Sequence, residues 1–189
     1  MEQGFAVWLT GLPGAGKSVI ADELKKRLEK IQIPSKIIRM DEMRNIVTPD
    51  PKYTNEERTI IYNSFIYLAK ILTECGINVI MDATGNLRKY RALAKKIIPF
   101  FMLIYLKCPL EIAIEREKAR DDTRGAPKDI YSKAMKGKSK TVPGIQSKYE
   151  EPDFPDLIIE TDKLGITESA EEILTYIMIK MKKKSKSQK

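Results

Sequence analysis

An α/β fold, with five parallel strands and helices on both faces of the sheet, is predicted by three observations. Apolar runs of strand length alternate with segments of helical periodicity. Gly11-Leu12-Pro13-Gly14-Ala15-Gly16-Lys17-Ser18 satisfies G-x-x-x-x-G-K-[ST] at each fixed position, between a strand and a helix. Gly11, Asp41 and Asp82 each stand just past a predicted strand end, where parallel sheets bind ligands. Together they predict a P-loop NTPase fold of the nucleotide-kinase type, carrying a basic lid.

The elements follow in order. A strand at about 5–10 enters the glycine-rich loop, and Val19, Ile20, Leu24 and Leu28 mark a helix over 17–31. Ile33-Pro34 stops it. Lys36 to Met40 reads as a second strand, followed by the proline-punctuated loop Pro49-Asp50-Pro51-Lys52. Thr54 to Cys75 reads as a helix, with Thr54 and Glu57 as a capping box, Ile61, Phe65, Leu68 and Leu72 as its buried stripe, and Gly76 as its stop. A third strand spans 77–81, a helix 87–98 and a fourth strand 100–106; the last is continuously apolar, as a strand covered on both faces should be. A helix starts at 110, a fifth strand covers 157–159, and a final helix spans 168–182 with Ile173, Ile177 and Met181 inward. The expected organisation is one domain over 1–182, with a lid at about 116–140 and an unstructured basic tail at 183–189.

The net charge is +8 over 189 residues, but the last ten residues hold six lysines and no acid, so most of the excess is local. Such a run is ordinarily a solvated face, which leaves nucleic acid a secondary possibility as partner. No apolar run reaches membrane-spanning length, and Met1-Glu2-Gln3-Gly4 is unlike a signal peptide, so a cytoplasmic protein is expected. Cys75 and Cys108 are then ordinary reduced thiols. The chain contains no histidine, so a general base has to be a carboxylate or another group.

The loop residues Gly11 to Ser18, continuing into Val19, form a phosphate cradle: glycines let backbone N–H groups converge, and the helix N-terminus favours negative charge. Lys17 would reach the β- and γ-phosphates of ATP, and the Ser18 hydroxyl would ligate Mg²⁺. Asp41 and Arg44 form D-x-x-R: the carboxylate can orient an acceptor hydroxyl and take its proton, and the guanidinium can clamp the acceptor's anion. Asp82 either holds a Mg²⁺-bound water or caps the turn with Thr84. Arg88 and Arg91 face the phosphates or solvent. Tyr53 stacks on an acceptor base or is a half-buried core residue. Arg116, Arg120, Arg124, Lys128, Lys133, Lys136, Lys138 and Lys140 fall between strands four and five, where a lid would deliver charge and exclude water.

These residues resemble the adenylylsulfate kinases (APS kinases) over most of the chain. Tyr105 to Glu111 looks like that family's fourth strand and turn; Gly144-Ile145, then Tyr149-Glu150-Glu151-Pro152-Asp153-Phe154-Pro155-Asp156-Leu157 and Thr161-Asp162, follow its G-I-x-x-x-Y-E-x-P-x-x-P-D run. Ile130 to Ala134 resembles its L-Y-x-K-A, which gives Lys133 a ligand-binding role. The resemblance implies transfer of the γ-phosphoryl of Mg-ATP to the 3′-hydroxyl of adenosine 5′-phosphosulfate (APS), with Asp41 as the acceptor-site carboxylate, Arg44 and Arg58 on the acceptor, Arg116 and Lys133 as lid cations, and a homodimer. The chain departs from the pattern on the acceptor side. Arg39 stands where the family has the first Asp of D-G-D; Asp82-Ala83-Thr84-Gly85-Asn86 replaces S-x-I-S-P; Ile60 and Ile61 stand near an expected Asn; Thr141-Val142-Pro143 lacks a Phe; and the lid is longer at 121–128. Two other readings therefore stay open: the same kinase with a polynucleotide 5′-end or small metabolite as acceptor, and a nucleotide-dependent binding protein.

Overall fold

The computed structural model describes residues 3–122, 124–137, 139 and 141–187. Five strands, β1 (Ala6–Thr10), β2 (Ser35–Arg39), β3 (Asn78–Asp82), β4 (Phe101–Lys107) and β5 (Leu157–Glu160), form one sheet in the order β2-β3-β1-β4-β5. Each pairing is parallel. The chain therefore has the P-loop NTPase fold.

Among the described residues seven helices connect or follow the strands: α1 (Lys17–Lys30), α2 (Met40–Val47), α3 (Asn55–Glu74), α4 (Arg88–Ile97), α5 (Leu110–Ala119), α6 (Ile130–Met135) and α7 (Ile166–Ser187). The side chains of β1 alternate between two cores, as the period of a strand requires. Val7 and Leu9 join Ile20, Leu24 and Leu28 of α1 and Ile173 and Ile177 of α7. Ala6 and Trp8 join Ile61 and Phe65 of α3 and Ala94 of α4. Helices thus cover both faces, and the central strands are apolar along their middles, from Ala6 to Leu9, Val79 to Met81 and Phe101 to Leu106.

Four expectations shift. Met40 opens α2 instead of closing β2, and α2 and the short α6 have no counterpart in the sequence reading. On α3 the buried stripe runs through Ile61, Tyr62, Phe65, Ile66 and Ala69, leaving Leu68 40% exposed. The Thr54 side chain accepts from Glu57 N as expected, but the Glu57 carboxylate reaches further back, accepting from the N–H groups of Lys52 and Tyr53. The helix α7 continues to Ser187, so residues 183–187 of the expected tail are helical; Met181 still rests on the core and the Lys184 Nζ stands 4.6 Å from the Phe100 ring centroid, which extends the packed face. Among the described residues no helix is long and apolar enough to cross a membrane.

Strand register levels the site. Leu9 and Arg39 both pair with Asp82, so the ends of β1, β2 and β3 lie in one row. The glycine-rich loop leaves one, α2 with Asp41 leaves the next, and Asp82 closes the third.

Candidate active site

The loop between β1 and α1 favours glycine at two positions, both in the left-handed region. Gly14 has φ 83°, and a Cβ there would lie 2.1 Å from the Ala113 carbonyl oxygen. Gly16 precedes α1 with φ 90° and no side chain caps the helix, so its first N–H groups lack an intrahelical partner at the loop. Pro13, Gly14, Gly16, Lys17, Ser18 and Val19 line a cavity of about 450 Å³. Gly11, Leu12 and Ala15 do not line it. The Gly11 and Leu12 carbonyls accept from Lys17 Nζ at 3.1 and 2.9 Å, and the Ala15 N–H is spent on Leu12 O at 3.0 Å, so it is not a free donor for phosphate.

Two carboxylates share the cavity with Lys17. Asp82 is 6% exposed; burial raises its pKa above the usual carboxylate value, opposed by Lys17, a Ser18 hydrogen bond and Arg39. Burial also raises the pKa of Asp41, helped by the charge of Asp82 and opposed by Lys17 and Arg44. Burial lowers Lys17, against the pull of both carboxylates. Lys17 and the two carboxylates thus perturb one another's ionisation, as titratable groups at functional sites do. The Ser18 hydroxyl and the Asp82 carboxylate are hard oxygen donors, and this pair fits Mg²⁺, which takes one or two protein ligands and completes its shell with water and phosphate. Among the described residues there is no group of three or more His, Cys, Asp or Glu suited to a metal.

Arg39 went unassigned from the sequence. Its guanidinium hydrogen-bonds Asp22, and its Nε lies 3.6 Å from Asp82 Oδ2, so it sets the charge beside that carboxylate. Its position at the end of β2 was the available signal.

The opposite wall carries the expected acceptor residues. Arg44 is 7% exposed and pairs with Glu57 Oε1 at 2.9 Å. Its guanidinium lies 5.0 Å from the Tyr53 ring centroid, and that of Arg58 lies 5.7 Å from it. Arg58 donates to Thr141 O at 2.7 Å and to Tyr53 O at 3.3 Å. Tyr53 is held at φ 55° and is half-buried on the cavity wall, its ring flanked by two cations. The half-buried reading of Tyr53 is the one its position matches.

The segment after α5 closes the cavity. Arg120, Asp122, Arg124, Ala126, Pro127 and Ile130 line it, with Lys133, Ser139 and Thr141 to Pro143. Three contacts tie the segment down: Tyr131 OH donates to Pro13 O at 2.8 Å, Arg124 pairs with Asp22 at 2.8 Å, and Asn45 donates to Gly125 O at 3.2 Å. Arg116 also lines the cavity, but its guanidinium donates to Thr161 O at 2.8 Å. Lys133 is exposed at the rim. Lys138 and Lys140 lie outside the described residues. Arg88 pairs with Asp153, and Arg91 is buried, donating to the Gly85 and Glu150 carbonyls. Neither lines the cavity, so both serve the structure around the Glu150 loop.

Residues 3–160 match the family model described as adenylylsulphate kinase. The adenylyl-sulfate kinase of Halothermothrix orenii is 35% identical over 178 residues, covering 93% of this chain and 90% of that protein. The probable adenylyl-sulfate kinase of Archaeoglobus fulgidus is 33% identical over 159 residues, covering 84% and 97%. The solved Mycobacterium tuberculosis APS kinase in complex with AMPPNP and APS superposes with a TM-score of 0.83 at 28% identity, covering 94% and 99%. With a Walker loop, a buried aspartate facing its lysine and a family match over most of its length, the chain belongs to the adenylylsulphate kinase family of phosphotransferases.

Proposed function

We propose that this kinase transfers the γ-phosphoryl group of Mg-ATP to the 3′-hydroxyl of APS, forming 3′-phospho-APS for sulfate assimilation. The observation that carries the reading is the placement of Asp41. It stands in one cavity with Lys17 on the donor side and with Arg44, Tyr53 and Arg58 on the other. The solved relative bound to AMPPNP and APS supports that pair of ligands.

In this reading Lys17 and the loop amides hold the β- and γ-phosphates. Ser18 and Asp82 hold Mg²⁺, which supplies charge neutralisation across the phosphate oxygens. Arg44 and Arg58 bind the acceptor's anion while Tyr53 stacks on its base. The acceptor oxygen forms a bond to the γ-phosphorus as the bond to the β-γ bridging oxygen breaks, and ADP leaves. The hydroxyl proton passes to Asp41 and then to solvent. A carboxylate whose pKa is raised by burial is a stronger base than an exposed one, which suits that role. The segment after α5, to about residue 140, acts as a lid with Lys133 as one of its cations, and excludes water so that ATP is not hydrolysed.

The test is turnover with Mg-ATP and a panel of APS, oligonucleotide 5′-ends and small hydroxylated metabolites, following ADP and phosphorylated product. APS-dependent ADP release is expected, and Asp41→Asn should keep ATP affinity while losing about 10²–10⁴-fold in kcat. Turnover with another acceptor and none with APS would overturn the assignment.

A further inference from the structure

Glu57 is the third residue of α3, where a capping box would send its carboxylate to the N–H of the N-cap, Thr54. Its carboxylate goes instead to the acceptor-side wall. Oε1 accepts from Arg44 Nη1 at 2.9 Å, which joins α3 to α2. Oε2 accepts from Lys52 N at 2.7 Å and from Tyr53 N at 3.2 Å. The helix keeps its cap without the carboxylate, because the Thr54 hydroxyl accepts from Glu57 N at 3.2 Å. Helix capping therefore does not account for where these two oxygens are spent.

Both groups that Glu57 holds need an outside constraint. Tyr53 has φ 55°, a conformation that a bulky residue keeps only when its surroundings impose it. The bonds to its own N–H and to that of Lys52 supply that constraint. Arg44 is buried and permanently charged, and a buried guanidinium requires a partner. Its guanidinium lies 5.0 Å from the Tyr53 ring centroid, so the two held groups also meet each other. Arg44 and Tyr53 line the cavity and Glu57 does not, so it acts from behind the wall.

We infer that Glu57 is a positioning residue for the acceptor, fixing the Arg44 guanidinium and the Tyr53 backbone in place before the acceptor binds. The inference rests on the phosphoryl-transfer reading above, with Arg44 and Tyr53 on the acceptor side, but not on which acceptor is used. An arginine side chain loses rotamer freedom when it clamps an anion, and that loss is already taken when a carboxylate holds it. The same holds for the left-handed turn at Tyr53. Glu57 therefore acts on acceptor affinity and leaves the nucleotide side untouched.

The test measures KM for APS and for ATP separately in the parent, Glu57→Ala, Glu57→Gln and Glu56→Ala. Glu56 is exposed in the same first turn of α3, so its variant controls for negative charge at the helix N-terminus. Glu57→Ala should raise the KM for APS by about 10–100-fold and leave the KM for ATP within about threefold. Glu57→Gln keeps one oxygen for the Lys52 and Tyr53 N–H groups and should fall between; being the same size, it carries the comparison if Glu57→Ala does not fold. Glu56→Ala should match the parent within about threefold. Combining Arg44→Ala with Glu57→Gln should raise the KM for APS no more than about threefold beyond Arg44→Ala alone, because no arginine is left to misplace. A role in folding alone would add the two losses. If the parent turns over another acceptor of the panel and not APS, the same comparison on that acceptor tests Glu57, and only the APS assignment falls. The inference is overturned if the acceptor KM of both Glu57 variants stays within threefold of the parent, if both KM values rise equally, or if the double variant is additive. A parent that turns over no acceptor overturns it as well.

Discussion

Asp41, Asp82 and Lys17 carry the proposed chemistry at the scale of single residues, and each was identifiable as a candidate from the chain alone. A lysine at the seventh position of the phosphate loop and two carboxylates just past strand ends need no side-chain packing to be found. Their coupling needed the fold. Asp82 raises the pKa of Asp41, second only to burial, because the ends of β2 and β3 lie in one row. The acid limb of the kcat/KM profile should therefore lie above 3.8, the ordinary carboxylate value. In Asp82→Asn the limb should move to lower pH, whatever the change in amplitude, because one like charge is gone. A limb that stays in place would remove Asp41 as the titrating base. Arg116 shows the opposite case. Its type and place fit a lid cation, but the bond to Thr161 depends on where β5 ends, and no spacing in the sequence carries that.

At the scale of elements, the long pieces were legible and the short ones were not. The strands, α1, α3, α4 and α7 each repeat an apolar pattern often enough to be read. The helices α2 and α6 span eight and six residues, about two turns each, too few to show a period. Both are held by contacts from outside themselves: Arg44 by Glu57 of α3, and Tyr131 by the Pro13 carbonyl. The extension of α7 past 182 has the same origin, since Lys184 rests on Phe100, in the turn just ahead of β4. The turn into α1 is the most constrained local element. Gly14→Ala would place a methyl group 2.1 Å from the Ala113 carbonyl oxygen at φ 83°. It should cost about 1–3 kcal/mol in stability and weaken ATP binding at least tenfold, checked by urea unfolding and by nucleotide titration.

For the whole molecule, the buried charges link folding to pH, and the sign is fixed by the direction of each shift. Asp41 and Asp82 keep their protons to higher pH when folded than when unfolded. Over that interval the native state binds more protons, so their contribution to stability falls as pH rises from 3.8 through the raised values. Lys17 acts the other way near the alkaline end: its lowered pKa means that stability rises with pH between that value and 10.5. Replacing Asp41 with Asn should flatten the acidic fall and raise Tm at pH 7 by about 2–4 °C, even as turnover is lost. Thermal unfolding of both proteins across pH 4–8 checks this, and a lower Tm for the variant would contradict it.

The sequence by itself determined the P-loop fold and put forward the donor site and the leading base as candidates, because the loop spacing, the strand ends and the absence of histidine are properties of the chain read in order. Only the tertiary structure decided which cations are free to act. Arg44, Arg116, Arg120 and Arg124 look alike in the sequence. They differ in the carboxylates and carbonyls that folding brings to them, from Glu57, Thr161, Glu117 with Pro127, and Asp22. A guanidinium keeps its charge everywhere, but its hydrogen-bonding capacity is finite, and the fold allocates it.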